Sequence, residues 1–181
     1  WTDGYGRVSY TSNSIISPVV KIALKEFAGD MKAVTGFDAK EKSGAPIQIY
    51  QLDQLTNKEF SAVEKLGAPL HLIITAKDAF YIGTRKGKLI VIGSNARGTA
   101  YAIMKLSELA GVSPLAAWND LQPAQRKSLY TPVDQQWIEV PRIEFRGLAL
   151  NNSQWMKPQN YSRIARLMLR LRANTLWQVD G

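Results

Sequence analysis

Two amides and an indole, Asn151, Asn152 and Trp155, stand together just after the short apolar run 146–151. The grouping suits a sugar, which needs partners for its hydroxyls and an apolar face to stack on. If the run is a strand of a parallel α/β sheet, the three residues lie at its C-terminal end, where such folds place their ligands. Asparagine in a loop also simply makes turns, so the trio is a candidate substrate-binding site and nothing further. Glycoside hydrolysis needs two carboxylates across the scissile bond. Over 142–181 the carboxylates are Glu144 and Asp180. Glu144 precedes the first apolar run and belongs to the wrong end of that strand. Asp180 follows the second run and has no companion. No catalytic residue is therefore assigned.

Other chemistries find less. His71 is the single histidine, flanked by Leu70 and Leu72, and there is no cysteine. A histidine metal cluster, a thiolate site and a disulfide are excluded, and a Ser/His triad is disfavoured. No metal and no cofactor is expected. The run Gly93-Ser94-Asn95-Ala96-Arg97-Gly98 follows a strand and opens a helix, where free amides bind anions. It is neither a dinucleotide fingerprint nor a Walker loop. The favoured reading is a strand-to-helix turn capped by Ser94 or Asn95. Arg163, Arg166 and Arg170 recur on one face of the last helix, as a solvated or domain-facing stripe or as a surface that meets acids outside this chain. Trp118 is expected to anchor the connection that carries it against the first domain.

The elements that must position these residues follow from periodicity. Ser17-Pro18 starts a helix. Val19, Ala23, Phe27, Met31 and Val34 form its apolar stripe, and Gly36 ends it. A strand is expected at 47–52, a helix at 53–66 and a strand at 70–75. Strands at 80–83 and 88–92 flank Arg85-Lys86-Gly87 as a hairpin. A helix runs from 96 to 110. This is an α/β arrangement, an α+β domain with helices on a mixed sheet over 1–111. Residues 112–141 contain Pro114, Pro123, Pro132 and Pro141 and are expected to be an extended linker. Over 142–181, strand, helix and strand form a parallel unit. Such strands bury both faces and need neighbours on both sides. The unit is therefore expected either to join the preceding sheet or to begin a larger α/β domain.

Composition bounds the partners. The chain has 181 residues, 45% of them hydrophobic, and a net charge of +8. The excess is local, because 142–172 holds seven of the 23 basic side chains and one of the 15 acidic ones. Without basic-aromatic alternation, no nucleic-acid partner is expected. The longest apolar stretches are strand-sized, so no membrane span is expected.

The wording of two segments goes further. GSNARGTAYAIMKLSELAGVSP resembles the strand-to-helix passage of glycoside hydrolase family 115, with its G-S-D-x-R-G-T-x-Y-G-I-Y pattern and following L-S-E-x-x-G-V-S-P. FRGLALNN resembles the start of that family's catalytic barrel, and LMLRLRANTLW its first helix and second strand. The resemblance implies an N-terminal α/β domain followed by the first strand-helix-strand of a TIM-type (β/α)8 barrel. It also implies an exported bacterial enzyme, periplasmic or extracellular, acting on xylan side chains as an α-glucuronidase. Asn152 stands where the family carries a carboxylate. Gln178-Val179-Asp180-Gly181 stands where it continues Pro-Ala-Met-His. An amide can hold a sugar hydroxyl but cannot serve as a base.

The resulting expectation is the N-terminal part of a polysaccharide-degrading glycoside hydrolase, inert by itself, whose intact form takes carbohydrate. Its cut barrel edge is expected to self-associate, to dock on the first domain or to lose local order. The rival is a complete non-catalytic carbohydrate-binding or interaction module. There Leu148 and Leu150 would be buried on both faces, whereas in the fragment Leu148 and Trp177 would lack partners on at least one side.

Overall fold

A computed structural model describes residues 1–119, 121–150 and 157–178. The chain is α/β, with a mixed six-stranded sheet, four helices and a separate two-stranded parallel sheet. The strands are β1 (Ser9–Ser12), β2 (Lys40–Glu41), β3 (Ile47–Gln51), β4 (Phe80–Arg85), β5 (Lys88–Gly93), β6 (Gln136–Glu139), β7 (Gly147–Leu150) and β8 (Thr175–Gln178). The helices are α1 (Pro18–Thr35), α2 (Asn57–Glu64), α3 (Ala96–Leu109) and α4 (Pro158–Arg170). The large sheet runs β2-β1-β3-β5-β4-β6, parallel through β5 and antiparallel at β4.

Side chains alternate across its centre. Ile47, Ile49, Phe80, Ile82 and Val91 pack toward α1 and α3. Tyr81, Ile90 and Ile92 face the other way, onto Val63 of α2, Leu70 and Ile73. Two dry layers result, as strands buried on both faces require. The stripe of α1 is buried as expected at Ala23, Phe27, Met31 and Val34, and Gly36 closes the helix at φ 85°. Ser17 takes the N-cap conformation but its hydroxyl caps no amide. It accepts instead from Gln51 Nε2 at 2.8 Å. The hairpin turns at Lys86 and Gly87, both at positive φ.

Three local expectations are corrected. Leu70–Leu72 form a 3-10 helix and 73–75 a turn, not a strand. Both neighbours of β5 are already β3 and β4, and the segment closes its own bonds, Ile73 N–H to Leu70 O at 3.0 Å. His71 is therefore exposed on a turn. The second helix begins at Asn57 rather than 53, set by a capping box between Thr56 and Glu59. The proline-rich connection supplies β6, an edge strand whose Trp137 pairs with Ile82. It also lies along the first layer, with Leu129 buried and its carbonyl bound by the Trp1 amino group at 3.0 Å.

Gly147–Leu150 and Thr175–Gln178 form the parallel pair expected over 142–181. Leu148 pairs with Leu176 and Ala149 with Trp177, across α4. Among the described residues β7 and β8 pair with no other strand.

Candidate functional site

Asn151, Asn152, Trp155 and Asp180 lie outside the described residues. What the structure defines is the framework at the opposite, N-terminal end of β7 and β8. There a cleft of about 460 Å³ is lined by Asp78, Phe80, Tyr101, Glu139, Arg146 and Arg172, among others.

Asp78 is its hub. It sits before β4 at φ 59°, a left-handed conformation that Asp tolerates better than most residues, and is 2% exposed. One oxygen accepts from Arg97 Nε at 2.9 Å and Asn95 Nδ2 at 3.1 Å. The other accepts from Arg146 Nη2 at 3.3 Å and Asn174 Nδ2 at 3.2 Å. Burial opposes the charge, but the hydrogen bonds from Arg97, Asn95 and Asn174 outweigh it, and the carboxyl stays below its ordinary range.

This settles the Gly93–Gly98 turn. Asn95 Oδ1 caps α3 by accepting from Gly98 N–H at 2.8 Å. A Cβ on Gly98 would collide with the Ala79 carbonyl, and one on Gly93 with the Thr99 backbone. The glycines permit close packing, and the anion at the start of α3 is the protein's own Asp78.

The arginine stripe of α4 faces the first layer. Arg170 forks onto Asp30 at 2.8 and 2.9 Å and reaches Glu26 at 3.3 Å, with both Arg170 and Asp30 buried. Arg166 joins Glu26 at 3.3 Å. The desolvation of Arg170 is more than offset by Asp30 and Glu26, so its pKa is raised. Arg172 bridges Glu108 at 2.7 Å and Glu139 at 3.0 Å. Tyr101 donates to Ala173 O at 3.0 Å. The acids that meet this stripe are thus in the chain itself, on α1. Arg163 lies 4.2 Å from the Trp118 ring centroid. Trp118 lines an apolar pocket with Leu148, Leu150, Ile164 and Leu167. The indole thus stands beside β7 and α4.

Glu144 pairs with Lys77 at 2.7 Å at the N-terminal side of β7, as its position before the strand implied. Among the described residues no three His, Cys, Asp or Glu side chains gather to hold a metal, and no helix is long and apolar enough to cross a membrane. Sequence reasoning missed Asp78, Asp30, Arg146 and Asn174 as a set. They are scattered along the chain and no spacing announces them.

Comparison with known structures follows this geometry. A family GH115 4-O-methyl-α-glucuronidase with specificity for decorated arabinogalactans matches with a TM-score of 0.83 and 28% identity. The match covers 97% of this chain and 25% of that one. The chain thus spans about a quarter of that enzyme, and the resemblance read from its motifs is met by a structural match along nearly its whole length. A GH138 enzyme targeting pectin rhamnogalacturonan II matches at TM-score 0.59 and 14% identity, over 96% of this chain and 19% of that one. A Streptomyces plicatus β-hexosaminidase matches at 0.57 and 12%, over 94% and 30%. These two likenesses concern the fold. No family model and no curated protein matches the sequence significantly.

Proposed function

We propose that this chain is the N-terminal part of an exported bacterial polysaccharide-degrading hydrolase resembling xylan α-glucuronidases. Residues 1–111 form the bulk of its accessory α/β domain, and 112–141 the connection that adds β6 to that domain's sheet. Residues 142–181 open a (β/α)8 barrel. Asn151, Asn152 and Trp155 contribute to the sugar site at the barrel mouth, and the catalytic carboxylates lie elsewhere.

The observation that carries this reading is the state of β7 and β8. Among the described residues each has one strand neighbour, Leu148 and Leu150 are only half-buried, and Trp177 is 67% exposed. A parallel strand left so open is part of a larger sheet. A complete binding module would have buried both faces.

The chain alone is expected to turn over neither aryl glycosides nor glucuronoxylan. Turnover that a single substitution abolishes would overturn this. In dilute monomer, amides of 146–150 and 174–178 should exchange faster than those of 88–92. Equal, strong protection would favour the non-catalytic carbohydrate-binding or interaction module. At higher concentration the open edge should drive self-association.

A further inference from the structure

A concavity lies at the β2 edge of the six-stranded sheet, with no residue of β7, α4 or β8 in its lining. It measures about 710 Å³, within the roughly 300–1,000 Å³ typical of small-molecule sites. Its walls come from the segment before β1, the C-terminal end of α1 and β2. Four cations line it, Arg7, Lys32, Lys40 and Lys42, with three acids, Asp3, Asp38 and Glu41.

The acids are largely committed to the fold. Asp3 Oδ1 accepts the backbone N–H of Tyr5 and of Arg7, both at 2.9 Å. Glu41 accepts from the Ser12 hydroxyl at 2.6 Å. Asp38 has a loose partner in Lys32 at 3.9 Å. Of the other three cations, Arg7 and Lys42 feel the Asp3 carboxylate at longer range. Arg7, Lys40 and Lys42 enter no ion pair among the described residues. Lysines on an edge strand also discourage strand pairing, which would account for Lys40 and Lys42 alone. It does not account for Arg7, whose guanidinium lies 5.3 Å from the Phe37 ring centroid and 5.8 Å from that of Tyr5. Two exposed aromatic rings hold a planar, permanently charged fork at the rim. Such a fork matches a carboxylate in two-point geometry. Phe37 leaves an apolar surface beside it.

We propose that this cleft binds the carboxylate groups of an acidic oligosaccharide, with Arg7 as the fork, Lys40 and Lys42 as supporting charges and Phe37 as the apolar platform. The choice of a sugar rests on the hydrolase reading above; the anionic character rests on the cleft alone. Its lining comes from residues 3–42 alone, so it would hold an acidic chain without acting on it.

The test is calorimetric titration of the full chain with a glucuronic-acid-bearing oligosaccharide and with its carboxyl-reduced counterpart. The acidic form should bind at least tenfold more tightly. Arg7→Ala, and separately a Lys40→Ala/Lys42→Ala double variant, should weaken it at least tenfold with an unchanged melting temperature, since all three side chains are exposed. Equal binding of the reduced sugar, or undiminished binding to Arg7→Ala, would overturn the proposal. So would tighter binding of a short polyphosphate or single-stranded oligonucleotide, which would mark a general polyanion surface. Absence of binding alongside fast exchange in β7 and β8 removes the cleft and keeps the hydrolase reading. Binding alongside strong protection of those strands does the reverse.

Discussion

The centre of the six-stranded sheet and the β7–α4–β8 unit are both βα structures, yet they are held by different forces. In the first, Ile47, Ile49, Ile82, Val91 and Ile92 are fully buried between helical layers. Area removed from water stabilises it, at roughly 25 cal/mol per Å². In the second, Leu176 and Trp177 stay exposed and the small sheet has two strands among the described residues. Leu169 of α4 reaches the first layer's core, and a set of directional links adds to it: Arg170 to Asp30, Arg166 to Glu26, Arg172 to Glu108 and Glu139, and Asp78 to Arg146 and Asn174. Apolar burial tolerates small shifts, whereas paired buried charges tolerate few, because a charge parted from its partner keeps its desolvation cost. The first region thus supplies stability and the second is held in one orientation upon it.

The sharpest contrast should come from core truncation. Phe27→Ala should cost about 3–5 kcal/mol, seen as a large fall in the melting temperature of the whole chain. A small fall would mean that α1 is not the main support of the first layer.

Asp30→Ala removes one partner of a buried arginine and should cost about 3 kcal/mol, the low end for such pairs because Glu26 still reaches Arg170. Hydrogen exchange should show the loss in α4, β7 and β8 and not in β3 or β5. A uniform loss across both regions would erase the distinction. The double variant Asp30→Leu/Arg170→Met should recover much of the loss, since an apolar pair of similar volume is often neutral.

Asp78→Asn keeps a residue tolerant of positive φ and removes the charge. It should cost about 1–3 kcal/mol, again read in exchange at β7 and β8. Acid should mimic it. The carboxyl's pKa is lowered in the folded state, so its contribution is complete above the unfolded value of roughly 4 and is lost as pH falls through the folded value. Protection of 146–150 and 174–178 should therefore weaken below about pH 4 in the native protein. In Asp78→Asn that component of the acid response should vanish.

The smallest effect belongs to the first region's own edge. Thr56→Ala breaks the capping box of α2 and should cost about 1 kcal/mol in the global melt. It should leave exchange in β7 and β8 unaltered relative to the rest.

Periodicity and turn chemistry made much of this fold legible. The α1 stripe, the Lys86-Gly87 hairpin, the Asn95 cap and the parallel character of 146–178 were all readable, because each is set within a few residues of chain. The 3-10 turn at Leu70–Leu72 was not, because an apolar run of strand length becomes a strand only if a neighbour is vacant, and β5 has none. The strand at Gln136–Glu139 was missed for the converse reason, since β4 offered an edge that the proline-rich connection could reach.

The candidate sugar residues were chosen from residue type and their place after an expected strand and lie outside the described residues, whereas the polar framework at the foot of β7 escaped notice. Asp78 meets Arg146 and Asn174 across 68 and 96 residues of chain, and Asp30 meets Arg170 across 140. The sequence by itself determined the elements, their polarity and the motif-level resemblance to a glycoside hydrolase, because these depend on local order along the chain. Only the tertiary structure decided which charges meet and which way the last helix faces. It also brought the Arg7 fork and the β2 lysines to one cleft. Those pairings span long loops, and the chain defines them only when its layers close.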